Sequence, residues 1–299
     1  MPRLTVIINP ISGTGGRADV ARRRAEHARS LIERRGLHGD VLLTERAGHA
    51  GELTRSALAA GSTTILAWGG DGTVNEVASV LAFGDAALGI LPSGSGNGLA
   101  RELKIPFDPD RAFDIAAGTS IRRIDAGELD GHLFFNVAGI GLDARVAHRF
   151  AAGGLERRGF RRYLELTTSE LMSCKEEEHT VVTDGTSVSI CPLLVAIANG
   201  RQYGNGALIA PLARVDDGLL DVVIVGHRTA LQAILRVPQV FMGHIARVPA
   251  VTMRTAREVE VTWGEPILYH VDGEPFVGGT SLKGRIRPGA LNVKVAASG

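Results

Sequence analysis

The sequence predicts two domains, an α/β domain over residues 1–124 and a β-rich domain over residues 125–287. In the first part, strand-like apolar runs alternate with helical patterns, which is typical of a mostly parallel sheet with helices on both faces. After Ile124 strand-like runs dominate, punctuated by Gly, Asp and Asn, and this favours an antiparallel sandwich. The last residues, about 288–299, are candidates to return to the first domain.

The elements of the first domain can be read in order along the chain. Thr73, with Glu76 three residues later, predicts a capping box at the start of the third helix. Arginines are abundant in the first helix but are interleaved with glutamates, which indicates a solvated face. The predicted strands cover residues 4–8, 37–44, 63–68 and 87–92, and the predicted helices cover residues 17–35, 47–60 and 73–81.

Three glycine-rich loops follow strands of this domain: "NPISGTGG", "GGDGT" and "PSGSGNG". Because the carboxyl ends of parallel strands share one edge of a sheet, we expect the loops to gather there. Glycines before a helix N-terminus suit a bound phosphate, although a tight turn explains one such loop equally well. None of the loops has the Gly-Lys-Ser/Thr ending of a P-loop.

The second domain reads as many short strands with two helical patterns, over residues 159–172 and 231–242. Its segment "NVAGIGLDA" matches Gly-x-Gly-x-x-Ala at Gly139, Gly141 and Ala144. No regular helix-plus-strand unit is expected after it, so we interpret this match as a turn.

Bulk composition excludes several classes of function. The net charge is +1 over 299 residues, which gives no argument for a nucleic-acid partner. Two cysteines, Cys174 and Cys191, cannot form a disulfide framework, so a reduced cytoplasmic setting is expected. No apolar run approaches the roughly 18 residues of a transmembrane segment. A membrane contact is therefore expected to be peripheral.

Several motifs, in order, resemble the diacylglycerol kinase catalytic family and, within it, bacterial lipid kinases related to diacylglycerol and sphingosine kinases. They are "GGDGTVNEV", "LPSGSGNGLARELKIP", "IANGRQYGNGALIAPLARVDDGLLDVVIV" and "VDGEP". The resemblance extends from Asn9 to about Phe276. It implies an NAD-kinase-like α/β domain that binds ATP and a β-rich domain that takes the lipid.

The resemblance implies a nucleotide pocket built from the glycine-rich loops. Small hydroxyls and backbone N–H groups can bind phosphate oxygens without a Walker lysine. Asp71 is expected to contact the nucleotide side, directly or through Mg²⁺, and the alternative is an Asx turn that stabilises its loop. The implied nucleotide-binding residues are Asn9, Pro10, Ser12, Gly13, Thr44, Gly69, Gly70, Asp71, Gly72, Thr73, Asn75 and Ser95.

A Mg²⁺ site is implied in "RVDDGLLDV". Its ligands would be the Asp217 side chain and the backbone carbonyls of Arg214 and Leu219, a set of oxygens that suits a hard cation. The neighbouring Asp216 is an alternative ligand. Without the resemblance, Asp-Gly before a strand is ordinarily a turn.

The segment "YHVDGEP" is expected to carry the chemistry, because phosphoryl transfer needs a carboxylate to accept the hydroxyl proton. If the segment is extended, Asp272 and Glu274 project to one face. The resemblance points to Glu274 as the base with Asp272 in support, and the choice between them stays open. A hairpin turn at Asp-Gly is the alternative interpretation.

The sequence therefore predicts a cytoplasmic ATP-dependent kinase of diacylglycerol or a related lipid, peripheral to the membrane and active in phospholipid biosynthesis. The basic and aromatic segment "LERRGFRRYLEL" suits an anionic bilayer, or forms a solvated helix face.

His227, His244 and His270 show no metal-ligand spacing. A homodimer is compatible with the sequence. The alternatives are a kinase of a soluble metabolite such as NAD and a non-catalytic nucleotide-binding regulator.

Overall fold

The structure is a computed structural model that describes residues 3–13, 18–152, 160–173, 177–204, 206–226, 242–245 and 248–297. The chain divides into two compact units. Unit 1 comprises residues 1–124 and 289–299, and unit 2 comprises residues 125–288. The helix predicted over residues 231–242 lies outside the described residues except for Met242.

Unit 1 contains a parallel sheet in the order β2-β1-β3-β4. The central strand β1 is buried from Leu4 to Ile8, as expected for a strand with helices over the sheet. The strands are β1 Arg3–Ile8, β2 His38–Leu43, β3 Ser62–Gly69 and β4 Ala87–Pro92, and the helices are α1 Ala18–Arg34, α2 His49–Ala59, α3 Asp71–Leu81, α4 Gly98–Glu102 and α5 Pro109–Ala117. This arrangement confirms the predicted α/β fold.

The start of α3 differs from the predicted capping box. The helix begins at Asp71 rather than at Thr73, and Gly70 occupies the N-cap position. Glu76 turns to the neighbouring helix α2, where its carboxylate accepts the backbone N–H groups of Gly48 and Ala50, both at 2.9 Å. An acidic side chain near a helix N-terminus is stabilising, so Glu76 stabilises α2 and not α3.

Unit 2 is an antiparallel sandwich, as predicted. One sheet has the order β14-β13-β10-β7-β16-β17, and the other includes the run β18-β15-β8-β9, with β5 pairing to β18 and β6. Their buried apolar side chains form one shared core, which includes Ile140, Val181, Val261 and Tyr269. The strands are β5 Ile121–Leu129, β6 His132–Phe134, β7 Val137–Gly141, β8 His179–Thr183, β9 Thr186–Ile190, β10 Pro192–Ala198, β11 Gln202–Gly204, β12 Ala207–Leu208, β13 Leu220–Gly226, β14 Val251–Ala256, β15 Glu258–Thr262, β16 Leu268–Val271, β17 Glu274–Val277 and β18 Ser281–Lys294.

The segment "NVAGIGLDA" is not a simple turn. Strand β7 runs directly into helix α6 (Leu142–Ala152), so the Gly-x-Gly-x-x-Ala match does lie between a strand and a helix. However, β7 pairs antiparallel with both β10 and β16, whereas a dinucleotide-binding unit requires parallel strands. A further helix, α7 (Phe160–Ser173), follows α6.

The final strand β18 belongs to both units. Its first residues pair antiparallel with β15 in unit 2. Its later residues pair parallel with β4 in unit 1, where Asn292 lies opposite Ala87 and Val293 lies opposite Leu88. Unit 1 thus receives a strand from the end of the sequence.

Candidate active site

The three glycine-rich loops of unit 1 meet at the carboxyl edge of the parallel sheet. We call residues 9–13 the first loop, residues 69–73 the second loop and residues 93–98 the third loop. Asn9 Nδ2 donates to Thr73 Oγ1 at 2.9 Å, which joins the first loop to the second. The hydroxyls of Ser12 and Ser93 lie 2.7 Å apart and join the first loop to the third. The expected gathering of the loops is therefore present.

Glycine is required where these loops touch. A Cβ on Gly94 would lie 2.6 Å from the Cα of Gly70, so the second and third loops approach too closely for a side chain. Gly13 has φ of +76°, and a Cβ there would lie 2.2 Å from the carbonyl oxygen of Ser93. Small residues thus allow the loops to pack closely and bring their peptide groups together at this edge.

Asp71 ties the second loop to the third. Its Oδ2 accepts the backbone N–H of Asn97 at 2.8 Å, and its Oδ1 accepts that of Gly98 at 2.7 Å. Both donors lie at the start of α4. The carboxylate thus holds a neighbouring loop, an arrangement that was not expected from the sequence. A contact between Asp71 and a nucleotide stays a prediction.

Asn97 is a residue that the sequence did not single out. It adopts φ of +53°, in the left-handed region that Asn tolerates. Its side chain accepts from Gly94 N at 2.8 Å and donates to Gly94 O at 2.7 Å. The Asn-Gly pair at the end of "PSGSGNG" is the local signal that could have identified it, since Asn before Gly favours a left-handed turn.

The remaining predicted nucleotide residues lie around the same edge. Thr44 is buried just after β2, and its N–H donates to Ile8 O at 2.9 Å. Asn75 is buried on α3 and accepts from Ser79 Oγ at 3.3 Å. Ser95, at the tip of the third loop, is exposed. Their contacts with ATP stay predictions.

The predicted metal loop, residues 214–219, forms a tight turn in unit 2. Asp217 Oδ1 accepts the N–H of Leu219 at 3.1 Å, and the buried Asp125 accepts that of Gly218 at 2.7 Å. Asp216 instead lies 3.9 Å from Arg214 Nε. Burial, together with the charge of Asp217, raises the pKa of Asp221 to about 6.

These residues fit a Mg²⁺ ion by the chemistry of their donors. The implied set is one carboxylate and two carbonyl oxygens, which a hard cation accepts. A cation near Asp217 would also relieve the repulsion that Asp221 experiences. Within the described ranges, no three His, Cys, Asp or Glu side chains come together as a metal site, so the fit depends on backbone oxygens.

The segment "VDGEP" is a hairpin and is not extended. Strand β16 ends at Val271 and β17 begins at Glu274, which leaves Asp272 and Gly273 as a two-residue turn. Their φ values are +47° and +87°, as a type I′ turn requires. The condition under which Asp272 and Glu274 would project to one face, an extended segment, is therefore not met, and the alternative hairpin turn is present.

The two carboxylates of the hairpin have different surroundings. Asp272 Oδ1 accepts the N–H groups of Asn136 and Val137, both at 3.0 Å, and its Oδ2 accepts that of Phe135 at 2.9 Å. Asp272 thus anchors the hairpin to the backbone before β7. Glu274, at the start of β17, is exposed.

A chain of hydrogen-bonded side chains, of which Asp143 and His270 are buried, also contacts this hairpin. Tyr203 Oη donates to Asp143 Oδ2 at 2.6 Å, and His270 Nε2 lies 3.2 Å from the same oxygen. Gly273 N donates to His270 Nδ1 at 3.3 Å. His270 therefore links Asp143 to the turn between Asp272 and Glu274.

The predicted membrane segment is only partly described. Arg157 and Arg158 lie outside the described residues, as do the side chains of residues 160–164 at the start of α7. Leu166 and Leu171, further along α7, pack against Leu142 and Val146 of α6. Among the helices that the structure describes, none is both long and apolar enough to span a bilayer.

Two family matches cover most of the chain. Residues 3–129 match the diacylglycerol kinase catalytic domain, and residues 136–295 match the YegS C-terminal NAD kinase beta sandwich-like domain. A Pseudomonas fluorescens protein named probable lipid kinase YegS-like is 34% identical over 281 residues, covering 90% of each chain. A Mycobacterium tuberculosis protein named diacylglycerol kinase is 32% identical over 266 residues, covering 87% of this chain and 84% of its own.

Solved structures share the fold. A Bacillus anthracis diacylglycerol kinase structure aligns with a TM-score of 0.72 at 18% identity, covering 98% of this chain and 97% of the other. An Archaeoglobus fulgidus NAD kinase solved with ATP aligns with a TM-score of 0.54 at 12% identity, covering 98% and 93%. The likeness to NAD kinase is thus more distant, and at these identities both structures support the fold alone.

Proposed function

Because the chain belongs to the YegS-like lipid kinases of the diacylglycerol kinase family, we propose that it transfers the γ-phosphoryl group of ATP to the hydroxyl of diacylglycerol or a related lipid. The observation that carries this proposal is the joining of three glycine-rich loops at one sheet edge, through Asn9–Thr73, Ser12–Ser93 and Asp71–Asn97. The choice of diacylglycerol is supported by the name of the Mycobacterium tuberculosis relative.

ATP binds at the joined loops of unit 1. Gly72 is exposed and a Cβ there would meet no atom within 4 Å, so a phosphate can approach the backbone of the second loop. Ser12, Ser93 and Thr73 bring hydroxyls to the same edge, as a phosphate cradle requires. Thr44 and Ser95 border this edge at the ends of β2 and of the third loop.

Glu274 acts as the general base. Its exposed carboxylate takes the proton of the lipid hydroxyl as that oxygen bonds to the γ-phosphorus, while the bond from phosphorus to the β–γ bridging oxygen breaks and ADP leaves. Asp272 already accepts three backbone N–H groups, so it acts as the anchor of the hairpin rather than as the base. The lipid binds in unit 2.

Mg²⁺ is proposed at Asp217 and the carbonyls of Arg214 and Leu219, where a bound cation would neutralise local charge and hold the turn rigid.

The protein reaches its lipid by peripheral contact with a membrane surface. The candidate for this contact is the basic and aromatic segment at residues 155–166. An anionic surface attracts such a segment through its arginines.

Phosphoryl transfer to a panel of acceptors tests the proposal. Radiolabelled γ-phosphate from MgATP would be followed into diacylglycerol, sphingosine, ceramide and phosphatidylglycerol in mixed micelles, with NAD as a soluble acceptor. Wild type, Glu274→Gln and Glu265→Gln would be compared, because Glu265 is an exposed glutamate in the loop before β16. We expect label in diacylglycerol with wild type and Glu265→Gln, and its loss in Glu274→Gln.

Other results would point elsewhere. Label in NAD alone would identify a kinase of a soluble metabolite. MgATP binding without transfer to any acceptor would indicate a nucleotide-binding regulator. Equal activity of Glu274→Gln and wild type would remove Glu274 as the base.

A further inference from the structure

The arginines of helix α1 are not all part of a solvated face. Arg22 and Arg23 are exposed and form ion pairs one turn away, with Glu26 at 2.8 Å and Asp19 at 2.7 Å. Arg24 is half-buried and faces the other way, toward the sheet edge. The expectation drawn from the alternation of arginine and glutamate therefore fails at this position.

Arg24 binds the first loop through three hydrogen bonds from α1. Its Nη1 donates to Asn9 O at 3.3 Å and to Ser12 Oγ at 3.0 Å, and its Nη2 donates to Ser12 O at 3.1 Å. In a planar trans peptide the N–H points opposite to the C=O. Since the Ser12 carbonyl points to Arg24, the N–H of Gly13 points away from it.

The charge of Arg24 has no anionic partner in the described part of the chain. All three of its acceptors are neutral oxygens, and no described carboxylate lies within ion-pair distance. Burial lowers the pKa of Arg24, but a guanidinium remains protonated in proteins. A second half-buried arginine, Arg101, donates from Nε to Gly96 O of the third loop at 3.0 Å and lies over the Phe107 ring at 4.6 Å.

The three loops themselves carry no cation for a polyanion, and their one charged side chain, Asp71, is an anion. Residues 9–13, 69–73 and 93–98 contain no lysine or arginine. Peptide dipoles and hydroxyls orient phosphate oxygens, but a triphosphate carries several negative charges that a partly buried site must balance. A fixed cation at the base of the first loop would provide that balance.

We propose that Arg24 supplies positive charge to this site, acting from α1 through the first loop to stabilise the phosphates of a bound nucleoside triphosphate. The assignment rests on the proposed function, because it requires ATP to bind at the joined loops. Arg24 would supply from α1 the positive charge that a lysine supplies in a P-loop, although the lysine reaches the phosphates directly.

Isothermal titration calorimetry tests the assignment without any lipid acceptor. The ligands are MgATP, inorganic tripolyphosphate and adenosine. The proteins are wild type, Arg24→Gln, Arg24→Lys and Arg23→Gln, the last being the matched control on the same helix. Arg24→Gln should weaken MgATP and tripolyphosphate by about tenfold or more, while adenosine changes by less than about twofold. Arg24→Lys should be intermediate, and Arg23→Gln should match wild type.

The dependence on salt separates charge from shape. Wild-type affinity for MgATP should fall more steeply with ionic strength than that of Arg24→Gln, because screening acts only on a charge that is present. Arg24→Gln that binds like Arg23→Gln, or that loses adenosine as strongly as MgATP, would overturn the assignment. So would Arg24→Lys that is as weak as Arg24→Gln.

The failure of the proposed function would look different. Wild-type protein that binds neither MgATP nor tripolyphosphate would overturn ATP binding at the loops, and the assignment with it. A normal thermal melting temperature for Arg24→Gln, measured in the absence of nucleotide, would exclude unfolding as the cause of weaker binding.

Discussion

His270 Nε2 lies 3.2 Å from Asp143 Oδ2, and both side chains are buried. Gly273 N donates to His270 Nδ1, which leaves Nε2 as the ring nitrogen that donates to Asp143. Asp143 also accepts from Tyr203 and from Ala144 N. The pair thereby connects the buried start of α6 to the turn between Asp272 and Glu274.

Replacing His270 with Gln should loosen that turn while the protein stays folded. A Gln amide can donate to Asp143 in place of Nε2, but it leaves Gly273 N without its acceptor. We expect kcat for lipid phosphorylation to fall about tenfold through misplacement of Glu274, with KM for ATP unchanged. Hydrogen exchange should accelerate at Gly273 and Glu274. The exposed His244 provides the control His244→Gln, and equal exchange in both variants would contradict the connection.

A methyl group at Gly139 should displace the same pair. A Cβ there would lie 1.9 Å from Asp143 Oδ2 and 2.6 Å from His270 Nε2. Gly139→Ala should therefore cost about 1–3 kcal/mol of unfolding free energy, measured from the denaturant midpoint. Gly264→Ala serves as the control because its Cβ meets nothing within 4 Å. Equal midpoints for the two variants would argue against tight packing at Gly139.

The two carboxylates of the hairpin should respond oppositely to amide substitution. Asp272→Asn turns an NH₂ toward at least one backbone N–H donor, so we expect a loss of about 1–3 kcal/mol of stability, with reduced activity as a consequence. Glu274→Gln is exposed and should change stability by less than about 0.5 kcal/mol, while kcat falls about 100-fold or more.

Measuring melting temperature and kcat for both variants separates an anchor from a base. A stable, inactive Asp272→Asn together with an active Glu274→Gln would reverse the two roles.

Mg²⁺ should stabilise wild type but not Asp217→Asn. A cation that binds only the folded state adds stability by mass action, by about 1–3 kcal/mol when it is in excess. The matched variant Asp216→Asn should keep the increase in melting temperature, because the Asp216 carboxylate lies near the Arg214 guanidinium, whereas that of Asp217 accepts the N–H of Leu219. The measurement is thermal unfolding with Mg²⁺ and with EDTA. An increase that depends on Asp216 instead would move the ligand by one residue.

The features that were predicted correctly are those that depend on short-range sequence patterns. Parallel strands bring their carboxyl ends together, so the meeting of the loops follows from strand-helix alternation alone. Asp-Gly is a strong turn signal, and the turn at Asp272 was available from the sequence as an alternative. Its anchoring to residues 135–137 was not, because those partners are more than 130 residues away.

Contacts between distant segments explain the other differences. Glu76 has the spacing of a capping box, but α2 lies close enough for its N-terminal N–H groups to donate to the Glu76 carboxylate instead. Arg24 is an arginine of the same helix as Arg22 and Arg23. Its contact with the first loop depends on how α1 is rotated over the sheet, which the local sequence does not reveal. The chain of Tyr203, Asp143 and His270 joins three segments that no local pattern relates.

The dual membership of β18 has a consequence for synthesis on the ribosome. Strand β4 pairs with β3 on one side but acquires its second neighbour only when Asn292 and Val293 have been made, after all of residues 125–288. During that interval the nascent α/β unit has an open sheet edge at β4, and open edges are prone to pairing with other chains. The order of translation thus makes the first unit begin folding early and finish last.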